Sequence, residues 1–320
     1  SVGVNVTIEQ EQALEVAKDD AVMKSLERFI DNSDASLSPT ALFRYVECPL
    51  KFYFASIARI RTRNELTDKI DAPTFGNILH KAMEQLYKDY LFTEESGKVG
   101  EESKFKPKYN QNEIITKIIE DYDKWEQENK SKKEQNLEQQ GNSSIIEKYV
   151  DDAIIKLLYD SKNIEPQDFP GDTQLVKDII IKYIRHGILR HDSKRENAKV
   201  MALERVIDYR YEIEDENGKK SIKISGIADR IDELTENTIQ LIDYKSGATP
   251  HLEFAGIDSL FNGKYQQRIS NIFQTLLYSM ILSRKCPNMK VKPSLYYASR
   301  MLNDKYSPFI SIKEQRGAGE

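Results

Sequence analysis

Apolar residues recur every three or four positions in several segments of the first 194 residues of this chain, which is the spacing of amphipathic helices. The pattern predicts a helix over residues 7–31 that Thr7 caps. A second helix is predicted over residues 38–57, with a break or restart at Pro49. The most regular apolar stripe lies in residues 74–90 and predicts a helix with one buried face.

The next hundred residues are more polar. Residues 95–112 are rich in Lys and Glu and predict an exposed loop. Residues 112–194 predict further helices, which polar or Pro-containing segments interrupt at residues 130–144 and 163–172. We therefore expect a helical insertion over about residues 95–195.

From residue 200 onward apolar and polar positions alternate, which is the two-residue period of β-strands. Three strands are predicted, over residues 202–215, 220–234 and 238–247. Asn217-Gly218 is a favourable hairpin turn between the first two. A helix over residues 265–283 and a strand over residues 291–302 follow. This order predicts an α/β (α+β) fold with a mixed β-sheet flanked by helices.

The composition is typical of a soluble globular protein, with 39% hydrophobic and 31% charged residues. No apolar run approaches the roughly 18 residues that a membrane span needs, and the N-terminus shows no secretion signal. The two cysteines, Cys48 and Cys286, are too few for a disulfide framework. We therefore expect a cytoplasmic protein with no membrane partner.

The formal net charge of −5 argues weakly against a nucleic-acid partner. The charges are unevenly distributed, however. Acids are concentrated in residues 112–170, whereas residues 44–63 contain Glu47 as their single acid beside several cations. Those cations are Arg44, Lys51, Arg59, Arg61 and Arg63. A local basic face is compatible with this distribution, although solvated surface is the simpler interpretation of any one of these charges.

Two of the predicted strands place acidic residues where they can meet. A three-residue turn at residues 235–237 would pair Leu234 with the residue that follows the turn. On that register Asp229 faces Asp243, and Lys245 shares their face of the sheet. A slip of one residue would separate the two acids.

Facing carboxylates repel one another unless a cation lies between them, and oxygen ligands suit a hard divalent ion such as Mg²⁺. Asp229, Asp243 and the main-chain carbonyl of Tyr244 could supply such ligands. Lys245 could hold or deprotonate a water, or neutralise charge on a phosphate. The set suits metal-assisted hydrolysis of a phosphodiester. The alternative is ordinary salt bridges from the two acids to Lys245 and Arg230.

Three further residues could take part in this chemistry or could serve only in packing. His80 lies at the edge of an apolar stripe, one turn after Gly76, whose missing side chain leaves room for a ligand to approach the ring. A lone histidine in such a position is more often a core or surface residue. Gln274 and Tyr278, four residues apart, share one face of their predicted helix.

Taken together, these motifs resemble the RecB-like branch of the PD-(D/E)xK nuclease superfamily, and they are most similar to the C-terminal nuclease domain of AddB-type helicase-nuclease subunits. The resemblance runs from about residue 36 to residue 300. Its five pieces, in order, are SLSPTALFRYVECPLKFYF (36–54), TFGNILHKAMEQLY (74–87), GIADRIDEL (226–234), LIDYKSG (241–247) and FQTLLYSMIL (273–282). Each piece alone is a weak signal, but five in the right order make chance agreement improbable.

The resemblance implies a restriction-endonuclease-like fold and a role for each candidate residue. The metal ligands would be His80, Asp229, Asp243 and the Tyr244 carbonyl, with Mg²⁺ or Mn²⁺ as the ion. The catalytic residues would be Asp229, Asp243, Lys245, Gln274 and Tyr278, of which the last two orient Lys245 or the DNA backbone. The implied activity is that of a DNA exonuclease in DNA-end processing, repair or recombination.

The sequence departs from some members of this branch in two respects. Relatives that hold an iron–sulfur cluster use four cysteines; Cys48 matches the first, but no Cys-x-x-Cys follows residue 300, and Cys286 precedes the last strand. We therefore expect no cluster and predict that Cys48 is a buried thiol. The chain also contains no phosphate-binding loop. If the natural protein is a helicase-nuclease, its motor therefore lies in a helicase subunit or in a missing helicase segment.

The predicted organisation is an N-terminal helical arm, residues 1–35, followed by a nuclease domain, residues 36–320, that contains the insertion. Two other functions stay open. One is a catalytically inactive DNA-binding or scaffolding module of a helicase-nuclease complex. The other is a metal hydrolase that acts on small phosphates, which would need a closed pocket and not an open groove with basic walls.

Overall fold

The computed structural model describes residues 15–313, except residues 32–33, 61–69, 96–103, 135–142, 160–163, 217, 248, 250 and 262–265. The helices of this part are α1 (Asp20–Glu27), α2 (Pro39–Glu47), α3 (Pro49–Phe52), α4 (Ala72–Leu91), α5 (Gln111–Glu134), α6 (Ile145–Leu158), α7 (Gly171–Lys182), α8 (Arg190–Ser193) and α9 (Gln266–Lys285). Two π-helical segments continue α3 and α7, over Tyr53–Ile57 and Tyr183–Leu189. No helix in the described ranges is long and apolar enough to cross a membrane.

The strands form one main sheet and two small pairs. They are β1 (Phe92–Glu95), β2 (Lys104–Pro107), β3 (Lys199–Asp215), β4 (Gly218–Thr235), β5 (Thr238–Lys245), β6 (Glu253–Phe254), β7 (Lys290–Tyr297) and β8 (Ser311–Ile312). The main sheet has the order β3–β4–β5–β7, with the first two contacts antiparallel and the last parallel. The predicted mixed sheet of a restriction-endonuclease-like fold is thus confirmed.

Helices cover both faces of this sheet. On β5, Ile242 and Tyr244 pack into the core that α4 shares with α5, α6 and α7. Leu241, the residue immediately before Ile242, packs instead against α9. Successive side chains of a strand point to opposite faces, so α4 and the helices of residues 111–193 lie on one side of β5 and α9 lies on the other. The catalytic candidates sit where these layers meet.

The first helices begin where side chains cap them, which agrees with the predicted start of one helix and not with that of another. Ser38 caps α2 by accepting from the Ala41 amide, and Pro49 starts a new helix, as predicted. The helix predicted over residues 7–31 begins only at Asp20, because the side chain of Asp19 accepts the Val22 amide and caps it there. Residues 15–19 are not helical, and Thr7 lies outside the described residues.

The prediction of a plain loop over residues 95–112 is wrong in part. β1 and β2 form a short antiparallel pair, and α5 begins at Gln111. The Lys88 ammonium lies 4.4 Å from the centre of the Phe105 ring, so a cation–π contact anchors this hairpin to α4.

Candidate active site

The hairpin of β4 and β5 brings the two predicted acids together on the expected register. Arg230 pairs with Ile242, and Asp232 with Gln240. The predicted three-residue turn is wrong, however. Thr235 pairs with Thr238, and a bulge between Glu233 and Thr235 absorbs the extra residue. The shorter turn and the bulge compensate one another, so the register beyond them agrees with the prediction.

The regular main-chain pairing of β4 with β5 ends at Arg230. At the next position the side chain of Asp229, and not its main chain, bonds to β5. Its Oδ2 accepts a hydrogen bond from the Tyr244 amide at 2.8 Å. Burial, together with the charge of Asp243, raises the pKa of Asp229 well above its usual range. The two carboxylates therefore lie close enough to repel one another, as the register predicted.

His80 reaches this point from the middle of α4. Its Nε2 lies 3.1 Å from the Tyr244 carbonyl oxygen, and its Nδ1 lies 3.4 Å from Asp229 Oδ2. Burial lowers the pKa of His80, which favours the neutral imidazole that metals bind. The space predicted beside Gly76 is not free, because a Cβ atom there would lie 3.2 Å from Ser246 Oγ. The small residue instead allows the segment after β5 to approach α4.

Glu204 is a site residue that the sequence analysis missed. It lies opposite Asp229, between the pairs Leu203–Arg230 and Arg205–Ala228, and has a left-handed φ of 44°. One ligand atom from each of His80, Glu204 and Asp229 lies within 4.8 Å of the others. Burial, and to a lesser degree the charge of Glu84, raises the pKa of Glu204 to about 7. A third acidic side chain thus joins the site from β3.

Asp243 and Lys245 form an ion pair at the end of β5. Lys245 Nζ lies 2.6 Å from Asp243 Oδ2, and Gln274 Nε2 donates to Asp243 Oδ1 at 3.3 Å. Burial, the largest single influence, acts to lower the pKa of Lys245, but the neighbouring acids, Asp243 first and then Asp229, together outweigh it and leave that pKa raised. The Asp243 carboxylate is thus held on the α9 side of the site, whereas His80 approaches from α4.

Tyr278 lies one turn from Gln274 on α9, as its spacing predicted. Its ring packs directly over Gly226, where an added Cβ would lie 2.4 Å from Cε1. The ring is buried, and burial raises the pKa of its hydroxyl. Tyr278 therefore joins α9 to the strand that carries Asp229.

A buried ionic network supports the α4 side of the hairpin. Arg230 donates to Asp232 and Asp192, and its Nη1 also donates to the Tyr244 hydroxyl at 3.1 Å. Tyr87 donates to Asp192. The salt-bridge alternative is therefore correct for the Lys245–Asp243 pair but wrong for Arg230, whose partners are acids on the opposite side of the site.

The donor set fits a divalent cation. His80, Glu204 and Asp229 offer three ligand atoms, and the Tyr244 carbonyl adds an oxygen beside them. Asp243 Oδ2 is buried and makes no hydrogen bond of normal geometry within the described residues, despite its contact with Lys245. Acidic oxygens with unused lone pairs and one imidazole are ligands that divalent ions accept.

The structure also describes part of the predicted basic segment, residues 44–63, together with Cys48. Lys51 pairs with Glu47 on the surface, and Cys48, predicted to be buried, is half-buried between α2 and α3. Arg61 and Arg63 lie outside the described residues.

Comparison with known protein families gives a match over most of the chain. The model of a family described as the PD-(D/E)XK nuclease superfamily matches residues 36–310. This range includes every catalytic candidate, from His80 to Tyr278. Comparison with curated proteins gives no significant match.

Proposed function

We propose that this chain, which belongs to the PD-(D/E)XK nuclease superfamily, is a deoxyribonuclease that hydrolyses DNA phosphodiesters at the end of the β4–β5 hairpin. The observation that carries the proposal is the hydrogen bond from the Tyr244 amide to Asp229, which holds one acid beside the strand that bears Asp243 and Lys245. Superfamily membership implies metal-dependent nuclease activity.

The ion would be Mg²⁺ or Mn²⁺, held by His80, Asp229, Asp243 and the carbonyl of Tyr244. Glu204 is a further ligand candidate, because it shares a cluster of ligand atoms with His80 and Asp229. A divalent cation supplies Lewis acidity toward a phosphate oxygen and lowers the pKa of a bound water. It would also offset the effects of burial and of the Asp243 charge, which together raise the pKa of Asp229.

The protein groups around the acids have distinct roles. Lys245 keeps its proton beside Asp243, so it acts as a cation that neutralises charge on the phosphate. Gln274 holds Asp243 through its amide. Tyr278 positions α9 over the strand of Asp229 by packing on Gly226.

The order of the five sequence motifs supports a finer assignment. We assign the chain to the RecB-like branch, close to AddB-type nuclease domains, and propose an exonuclease that processes DNA ends in repair or recombination. On this assignment it works in the cytoplasm with a helicase subunit or helicase segment. An inactive scaffolding module is less well supported, because every catalytic position of the pattern is filled.

The test is a nuclease assay on the purified chain with Mg²⁺ or Mn²⁺, using end-labelled DNA and a matched RNA. Wild type should degrade DNA, whereas Asp229→Ala and Lys245→Ala should lose activity by at least about 10²-fold while they stay folded. Asp152→Asn, which changes an exposed acid on α6, is the control and should match wild type. Equal degradation by wild type and the two site variants would show contamination and reject the proposal.

A further inference from the structure

The main-chain amide and carbonyl of Tyr244 both contact side chains of the proposed metal site. The amide donates to Asp229 Oδ2 at 2.8 Å, and the carbonyl oxygen lies 3.1 Å from His80 Nε2. The main-chain pairing of β4 with β5 has already ended at Arg230 and Ile242. The orientation of the Tyr244 main chain therefore sets how Asp229 and His80 lie relative to β5.

The side chain of Tyr244 is held at its far end, on the α4 side of the sheet. Arg230 Nη1 donates to its hydroxyl at 3.1 Å. Burial raises the pKa of Tyr244, so the hydroxyl stays neutral and accepts this bond. The ring is 4% exposed and meets the rings of His80 and Tyr296 edge-on, at centroid distances of 5.7 and 5.9 Å. A side chain that packing and a hydrogen bond hold in one rotamer restrains the backbone that carries it.

Arg230 is a firm anchor because its guanidinium is held independently of Tyr244. Its Nε and Nη2 donate to the two carboxylate oxygens of Asp232 at 2.7 and 2.6 Å, and its Nη1 donates to Asp192 at 2.5 Å. The guanidinium also lies 5.0 Å from the centre of the Tyr87 ring. These partners belong to β4, α8 and α4, so three elements of the fold fix the position of the anchor.

The alternative is that the Tyr244 hydroxyl only completes the buried network. Tyr296 on β7 offers a direct comparison, because it pairs with Tyr244 across the sheet and is fully buried. Its hydroxyl belongs to the same network but contacts groups outside the set of ligand candidates, namely Arg195, His191 and Asp192. The two tyrosines therefore differ in that only the main chain of Tyr244 contacts both His80 and the Asp229 carboxylate within the described residues.

We propose that Tyr244 is a positioning residue, whose hydroxyl, fixed by Arg230, holds the Tyr244 main chain so that Asp229 and His80 are aligned on a divalent cation. This inference rests on the proposed nuclease function, which requires the cation. The site is aligned before the cation binds, which lowers the cost of ordering its ligands. The hydroxyl acts through the backbone and contacts neither the cation nor the substrate.

The first experiment titrates Mn²⁺ into the full chain by isothermal calorimetry and needs no catalysis. Tyr244→Phe removes the hydroxyl and keeps the ring. Tyr296→Phe is the matched control, because it removes another buried hydroxyl from the same network. Tyr244→Phe should weaken Mn²⁺ binding by about tenfold or more, the loss typical of a group that orients a metal ligand. Tyr296→Phe should bind Mn²⁺ as wild type does.

The second experiment measures hydrogen exchange of the main-chain amides by NMR in EDTA. In wild type, the Tyr244 amide should exchange as slowly as that of Ile242, a fully buried residue of the same strand, because the bond to Asp229 forms before the cation binds. In Tyr244→Phe the same amide should exchange at least about tenfold faster. The wild-type measurement tests the alignment even where a variant folds poorly.

Three results would overturn the proposal and leave the nuclease assignment intact. They are equal Mn²⁺ affinity in wild type and Tyr244→Phe, equal losses of affinity in the two Phe variants, and fast exchange of the Tyr244 amide in wild type. A wild-type chain that binds no Mn²⁺ in a manner dependent on Asp229 would instead reject the nuclease assignment, and this inference with it.

Discussion

Asp229 accepts the Tyr244 amide through its side chain at the point where the ladder between their strands ends. A carboxylate replaces a main-chain acceptor there, so the acid is fixed to the strand that carries the second acid. The hydrogen bond favours the charged carboxylate, but burial and the nearby charge of Asp243 outweigh it, so holding both acids here costs electrostatic energy. A divalent cation bound between the two carboxylates would neutralise their mutual repulsion.

The first prediction concerns stability against pH. The raised pKa means that folded Asp229 holds its proton more tightly than the unfolded chain does. Stability should therefore fall as pH rises from about 4 through the folded pKa. Asp229→Asn keeps an oxygen that accepts the Tyr244 amide, but it has no charge and so removes the loss of stability that ionisation of Asp229 causes. Its melting temperature in EDTA should exceed that of wild type, by a margin that grows over this pH range.

Activity should be lost in the same variant, so stability and function change in opposite directions. Asp152→Asn, at an exposed position of α6, should show neither effect. A lower melting temperature for Asp229→Asn throughout the pH range would contradict the repulsion between the two acids.

The second prediction tests Glu204 as a ligand. A metal that binds only the folded state raises its stability by about 2.7 kcal/mol at 100 times the dissociation constant. Glu204→Gln should weaken Mn²⁺ binding by about 10- to 100-fold, which is the loss in affinity typical when a residue that holds or supports a metal site is replaced. The midpoint of the melting temperature against Mn²⁺ concentration measures it. Glu233→Gln, on β4 outside the cluster, is the control, and an unchanged midpoint in Glu204→Gln would exclude the ligand role.

The third prediction uses the contact between Gly226 and Tyr278. An alanine Cβ would lie 2.4 Å from the ring, so Gly226→Ala should displace Tyr278 and reduce stability by about 1–3 kcal/mol. Activity should fall as well, because α9 carries Gln274. Gly171→Ala meets nothing within 4 Å and should change stability by less than about 0.5 kcal/mol. Urea titrations of both variants measure the difference, and equal values would show that the ring adapts freely.

The fourth prediction concerns the buried network. Arg230→Met leaves Asp192 and Asp232 buried without their main cation, so it should cost about 3–5 kcal/mol of unfolding free energy. Arg190→Met removes an exposed partner of Asp304 and should cost at most about 1 kcal/mol. Chemical denaturation of the two variants checks both values. A small loss in Arg230→Met would mean that the network is dispensable.

Clear periodicity made the main elements predictable. The stripe of residues 74–90 became α4, and the alternation after residue 200 became the sheet. The β1–β2 hairpin was missed, because four-residue strands rich in Lys and Glu carry little alternation. The start of α1 was misplaced, since a capping Asp19 looks like any other polar residue until its side chain is seen to accept the Val22 amide.

The register of the β4–β5 hairpin agreed with the prediction only because the bulge between Glu233 and Thr235 offsets the shorter turn. Glu204 was not predicted, since its position depends on a different turn. A turn centred on Asn217-Gly218 would place Glu204 opposite Ile231, whereas the observed pair Asp215–Gly218 shifts it opposite Asp229. The available signal was an acid within a predicted strand, and Asp208, Glu212 and Glu214 on β3 share that feature.

Anomalous diffraction from crystals soaked in Mn²⁺ shows directly whether Asp229 and Asp243 hold one shared metal ion. We expect one strong anomalous peak in contact with both Asp229 and Asp243, beside His80 and the Tyr244 carbonyl, that disappears in Asp229→Asn crystals. A map with no peak at these residues at millimolar Mn²⁺, or a peak that persists in the variant, would contradict it.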